Sequence, residues 1–169
     1  MAATYEPIAT TTTTGNASTV TFSGISGSYT DVIAVFDGTH SDGTTDIRIR
    51  FNSDSGSNYS HTVLEGTGSA ASSSRQSNTT HIMLAFNNVG IGTSQSNQIM
   101  HFMNYSNSTT YKTVIGRVNA ATNAGGFPGV SAGVGLWRST NAITSIEFYF
   151  SSGNFVNGSV ISLYGIASA

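Results

Sequence analysis

The chain has 169 residues, of which only 8% are charged, with a net charge of −2 and no cysteine. Its 6 Lys and Arg leave no basic cluster for a phosphate backbone, and without thiols it has no disulfides, thiolate metal sites or cysteine catalysis. Ser, Thr, Asn and Gly replace the missing charges, and aromatic residues at 10%, recurring within regular apolar–polar segments, mark a folded chain and not a disordered one.

The length fits one domain with a core of its own. Met1 to Glu6 lacks the basic and apolar regions of a secretion signal. No apolar run approaches the roughly 20 residues of a membrane helix. The expectation is a protein made soluble in the cytoplasm, with no membrane insertion.

Residues 1–15 read as an extended N-terminal arm or a first edge strand, because the β-branched run Thr10–Thr14 is stiff and extended. From residue 16 onward, period-two alternation dominates and helical periodicity is nearly absent. Strands are predicted at Thr19–Phe22, Tyr29–Phe36 and Asp46–Phe51. The last of these sets Ile47, Ile49 and Phe51 on one face and Arg48 and Arg50 on the other. Asp37-Gly38 and Asp42-Gly43 read as turns, and 52–58 as a polar loop. Tyr59–Glu65 is the next strand. Gly66–Thr79, rich in Gly, Ala and Ser, reads as a mobile loop. Further strands are predicted at His81–Phe86, Gln98–Tyr105, Tyr111–Asn119, Val130–Trp137, Ile143–Phe150 and Ser159–Ile166, with a Gly-rich stretch at 124–129. With no helix of crossover length between them, the strands are expected to pair antiparallel. The fold class is therefore all-β: a single-domain, antiparallel, jelly-roll-like β-sandwich over residues 16–169.

Chemistry is sparse along this frame. Asn52–Asn58 has the oxygen-rich look of a calcium loop but offers one carboxylate, Asp54, so turn residues are the better reading and no metal is assigned. His40, His61, His81 and His101 show no paired ligand spacing. There is no nucleophile elbow, phosphate loop or dinucleotide fingerprint. Glu65 and Glu147 sit in strand-like context without nominating a catalytic pair. The reading is non-enzymatic, with no catalytic residues and no cofactor. Tyr59, Tyr105, Tyr111 and Phe127, at strand ends or in polar loops, are the candidate residues for an interface or for stacking on a glycan. Trp137, within Val134-Gly135-Leu136-Trp137, is expected in the core.

Several strings carry a resemblance. Ile8-Ala9-Thr10-Thr11-Thr12, Phe22-Ser23-Gly24-Ile25, Ile49-Arg50-Phe51-Asn52, Met103-Asn104-Tyr105-Ser106-Asn107, Leu136-Trp137-Arg138-Ser139-Thr140 and Leu163-Tyr164-Gly165-Ile166 together span nearly the whole chain. They resemble small virion structural proteins of tailed bacteriophages, particularly cyanophage-type ones. The resemblance implies a particle component, located in the virion. The leading expectation is a capsid decoration or cement subunit. It would bind between capsomers, with the major capsid protein or other virion proteins as partners, and would form a homo-oligomer, with a trimer favoured. The alternative is a receptor-binding module of a tail fibre or tail tip that recognises host glycan. Nucleic acid is not among the expected partners.

Overall fold

The structure, a computed structural model, describes residues 4–43, 45–86, 91–120 and 129–167. Among the described residues eleven strands run in chain order: β1 Tyr5–Thr12, β2 Thr19–Ser23, β3 Asp31–Gly38, β4 Arg48–Phe51, β5 Tyr59–Gly66, β6 Ala71–Thr79, β7 Ser96–Met103, β8 Lys112–Ala120, β9 Gly129–Trp137, β10 Ser145–Tyr149 and β11 Val160–Ile166. Eight form one sheet in the order β1-β11-β3-β7-β8-β9-β5-β6, and three form a second in the order β2-β10-β4. All pairings are antiparallel.

The chain alternates between the sheets as it goes from β1 to β4, and again from β9 to β11. The 81–86 segment extends the small sheet by one bridge, Ile82 to Ile49, closed by two 2.9 Å backbone hydrogen bonds. The fold is thus an antiparallel, jelly-roll-like β-sandwich whose larger sheet is widened by β8, β9 and the β5–β6 hairpin.

Burial explains why these residues form these strands. On β3, β4, β7 and β9 every second residue is buried, as two-sided sheets with one dry face require. The inward set includes Val32, Ala34 and Phe36 of β3, Ile49 and Phe51 of β4, Met100 and Phe102 of β7, and Ile146 and Phe148 of β10. Phe51 meets Phe102 edge-on with ring centroids 5.7 Å apart, joining the sheets at the centre. Small residues let the 81–86 segment approach β8 and β9: a side chain on Gly116 would collide with Leu84, and one on Gly135 with Ile82.

Three local expectations are corrected. The stretch Gly66–Thr79 is no mobile loop, for β6 pairs with β5 from Ala71 to Thr79 after a turn at Gly68, whose φ is 84°. Alternation reports a buried face, and β6 shows none because both of its faces are exposed up to Asn78. His81–Phe86 makes a single bridge and no strand, its apolar residues filling the edge of the core. Asp37-Gly38 closes β3 and does not turn, since Asp37 pairs with both Asn97 and Val160. At the N-terminus, β1 pairs with β11 along its length and forms one edge of the large sheet.

Candidate functional site

The aromatic residues picked from the sequence are not a site. Tyr59 is completely buried, its ring stacked on Trp137 at 6.2 Å, and its hydroxyl accepts from the Phe51 N–H at 3.1 Å and donates to the Asp54 carbonyl at 3.0 Å. Tyr105 is also completely buried, its hydroxyl donating to the Ser26 carbonyl. Neither ring can stack on a glycan or meet a partner, which corrects both assignments. Each ring gained a dry slot and a partner for its hydroxyl, the two things that make tyrosine burial favourable. Tyr111, 54% exposed in the connection before β8, does face solvent. Phe127 lies outside the described residues. Trp137 is only 2% exposed, in the core as expected.

The 52–58 loop is committed to structure. Asp54 accepts from the Gly56 N–H at 2.8 Å, the Asn58 amide at 3.0 Å and the Trp137 indole at 2.7 Å. Burial pushes its pKa up, but these hydrogen bonds outweigh that and hold it below the usual carboxylate range. Its lone-pair sites are taken by protein donors, so the loop does not offer the open oxygen cage that calcium needs. Among the described residues, no group of three or more His, Asp and Glu is arranged to hold a metal ion.

Two regions remain. The first is the outer face of the large sheet. Leu64 is 61% exposed, Val130 64%, Ile115 50% and Val134 46%. The strand registers make them neighbours: Ile115 lies opposite Val134, and Leu64 opposite Ala132. Ile99, Val35 and Leu136 continue the surface, half-buried on β7, β3 and β9. On β9 every outward residue after Gly129 is apolar: Val130, Ala132, Val134 and Leu136. Arg117 is the cation within this plane, while Asp31 and Asp37 on β3 and Arg75 on β6 lie toward its sides.

The second region is a polar cleft of about 410 Å³ beneath the β5–β6 hairpin. It is lined by Asp42, Thr45 and Asp46 on the approach to β4, by Arg48 at its start, by Gln76 of β6, by Met83 and Phe86, and by Ser151 and Ser152 after β10. Gln76 pairs in register with His61, whose ring lies 5.5 Å from Phe86 and 6.3 Å from the ring of His81. Twenty residues separate these histidines in the chain, and only the return of the hairpin over the 81–86 segment brings them together. Glu65 accepts a hydrogen bond from the Phe86 N–H.

The electrostatics of the cleft are unusual. Burial, reinforced by the nearby Glu65 charge and only partly offset by Arg48, pushes the Asp46 carboxyl up to about 7. Burial brings His61 and His81 down to about 4, with Arg48 adding to the effect at His81. Six buried side-chain polar atoms among the described residues lack a hydrogen bond; two of them, Asp46 Oδ1 and Arg48 Nε, belong to residues that line the cleft, and three more, on His61 and His81, lie behind Phe86. No local pattern marks this cluster, because its members come from separate turns and strand ends.

No family model matches the chain, and no curated protein matches it. Among solved structures, a crystal structure of a protein of unknown function from Shewanella oneidensis is similar at 11% identity, over 98% of this chain and 71% of that one, with a TM-score of 0.24. A likeness of that size carries no argument about fold or function.

Proposed function

We propose that this chain is a non-catalytic structural subunit of a tailed-bacteriophage particle, a capsid decoration or cement protein, and that it self-associates through the outer face of its large sheet. The observation that supports this reading is the row of exposed Leu64, Ile115, Val130 and Val134. An antiparallel sheet that meets water on one side normally carries polar residues there. Here β9 carries none, and a contiguous apolar surface of this kind marks a contact.

The occupant is a second copy. With strands about 4.8 Å apart and residues about 3.4 Å apart, the six strands from β3 to β6 in the sheet order cover on the order of 700 Å². That is close to the ~800 Å² each partner contributes to a standard interface. The apolar rows from β3 to β5 would supply its dry core, and the polar β6 its rim. A two-fold axis along the strands between β8 and β9 lays β3 over β6, so Asp31 and Asp37 of one copy face the strand bearing Arg75 of the other. These flanking charges are complementary across the axis, while Arg117 of each copy lies beside it facing Ala132 of the other, and it is the match at the sides that favours a two-fold contact over the trimer expected from the resemblance. The similarity of the sequence strings to phage virion proteins supplies the particle context, since a sandwich alone specifies no function.

Quantitative mass spectrometry of purified particles tests the reading. A copy number close to that of the major capsid protein is expected. A few copies per particle would move the chain to the tail and favour the receptor-binding alternative, and absence would remove the virion role altogether.

A further inference from the structure

We infer that the cleft under the β5–β6 hairpin is a binding site for a neutral, polyhydroxylated ligand, a sugar residue, separate from the apolar face.

Unmet hydrogen bonding points to this cleft. A buried polar atom without a partner costs roughly 1–3 kcal/mol, so natural folds leave few. In this molecule they are concentrated: Asp46 Oδ1 and Arg48 Nε belong to residues that line the cleft, and His61 and His81 lie behind Phe86. A ligand that enters this space meets acceptors and donors together.

Charge then narrows the class. An anion would be opposed by Asp42 and Asp46, and a cation by Arg48. A hydroxyl group donates to a carboxylate and accepts from a guanidinium at once, so vicinal hydroxyls satisfy both ends of the Asp46–Arg48 pair. Gln76, Thr45, Ser151 and Ser152 add neutral partners of the same kind. Phe86 and Met83 supply the apolar wall on which the C–H face of a pyranose can rest. A volume of about 410 Å³ lies within the range of pockets that enclose small molecules. Nothing in the apolar face has this composition, so the two surfaces serve different partners.

The test is titration of the intact protein with glucose, galactose, mannose and N-acetylglucosamine, followed by amide NMR. At least one sugar is expected to shift Thr45–Arg48, Gln76 and Ser151–Ser152 with a millimolar dissociation constant. Asp46→Leu is expected to weaken that binding ~10-fold or more and to raise the melting temperature, because it removes an unpartnered buried carboxyl. Ile115→Asp, on the other face, is expected to leave the sugar response unchanged. Three results would overturn the inference: no response to any of the four sugars, shifts centred elsewhere such as Tyr111, or an Asp46→Leu protein that is less stable and binds as before. None of these bears on particle copy number, so the inference and the structural role fail separately.

Discussion

The outer faces of the two sheets are built from the same alternating strands, yet they end in opposite chemistry. On the small sheet the outward residues include Arg48 and Arg50 of β4 and Glu147 and Tyr149 of β10. Arg50, Glu147 and Tyr149 satisfy one another: Arg50 lies 3.0 Å from Glu147, bonds the Tyr149 hydroxyl at 2.8 Å and sits 4.7 Å over the Tyr149 ring. On the large sheet the corresponding positions hold Ile115, Val130, Val134 and Leu64, which have no such neighbours to turn to. Alternation tells which residues face inward, whereas the outward set tells which face is meant to stay wet. The small sheet's face is closed on itself, and the large sheet's face is the one proposed above to meet a second copy.

The comparison presupposes that stability resides between the sheets and in neither outer face. The largest effect is therefore expected at Trp137, which stacks on Tyr59 and lies 5.5 Å from Phe51. Trp137→Ala should lower the unfolding free energy by about 3–5 kcal/mol, read by urea denaturation. A loss comparable to a surface substitution would mean that the core sits elsewhere.

Next in size is the acid limb of the stability curve. His61 is held down to about 4, below its unfolded value of 6.5, so the unfolded chain binds its proton first as pH falls. Its stabilising contribution is complete above pH 6.5 and is lost on descent through pH 4, a change of about 3 kcal/mol. His81 acts in the same direction. Asp46 has the opposite sign: its folded value near 7 exceeds the unfolded 3.8, so its contribution is complete below 3.8 and is lost as pH rises to 7. With two groups rising and one falling, stability should peak near pH 6.5. Melting curves of the double variant His61→Gln/His81→Gln should lose the acid limb and show only the Asp46 decline as pH rises from 4 to 7, and those of Asp46→Asn should no longer decline from pH 6.5 to 7. Unchanged profiles in both would show that the cleft does not titrate in this way.

A smaller stability effect, but a sharper test of the open face, comes from Ile115→Asp and Val134→Asp. Both positions are about half exposed, so the fold should change by no more than ~0.5 kcal/mol. Light scattering should nevertheless show the oligomer dissociating, because a charge at the centre of a dry interface is costly. A wild-type chain that is already monomeric at high concentration would show that the face does not pair with a second copy.

The sandwich was legible in the sequence wherever burial is one-sided. Asp46–Phe51 alternates because Ile47, Ile49 and Phe51 are packed and the two arginines are not. Where burial is absent on both sides, as in β6, or where a buried segment makes only one bridge, as at Ile82, the pattern misleads. The site was much less legible. Tyr59 and Tyr105 lie beside polar loops in the chain, but their hydroxyls reach inward to backbone carbonyls, a fact that depends on tertiary contacts. The apolar face left a readable trace: on β9, before the buried Trp137, glycines and a serine occupy the inward positions while valines, alanine and leucine occupy the outward ones, the reverse of an ordinary strand. The cleft left none, since Asp46, Gln76, Phe86 and Ser151 meet only when the hairpin folds over the edge of the small sheet.

The smallest effect should come from the face already closed. Arg50 and Glu147 lie opposite each other on neighbouring strands, both partly exposed, with side chains 22% and 29% accessible. Pairs of this kind contribute about 0–1 kcal/mol, and cross-strand opposite charges fall in the same range. Glu147→Gln should therefore cost at most about 1 kcal/mol, shrinking further in high salt as the charge is screened. Arg50→Met should cost somewhat more, because it removes the contact with the Tyr149 ring and the bond to its hydroxyl as well as the ion pair. A double-mutant cycle separates the ion pair from the ring contact. Neither variant should alter the oligomeric state. If one did, the small sheet's outer face would also be a contact surface, and the distinction between a closed and an open face would not hold.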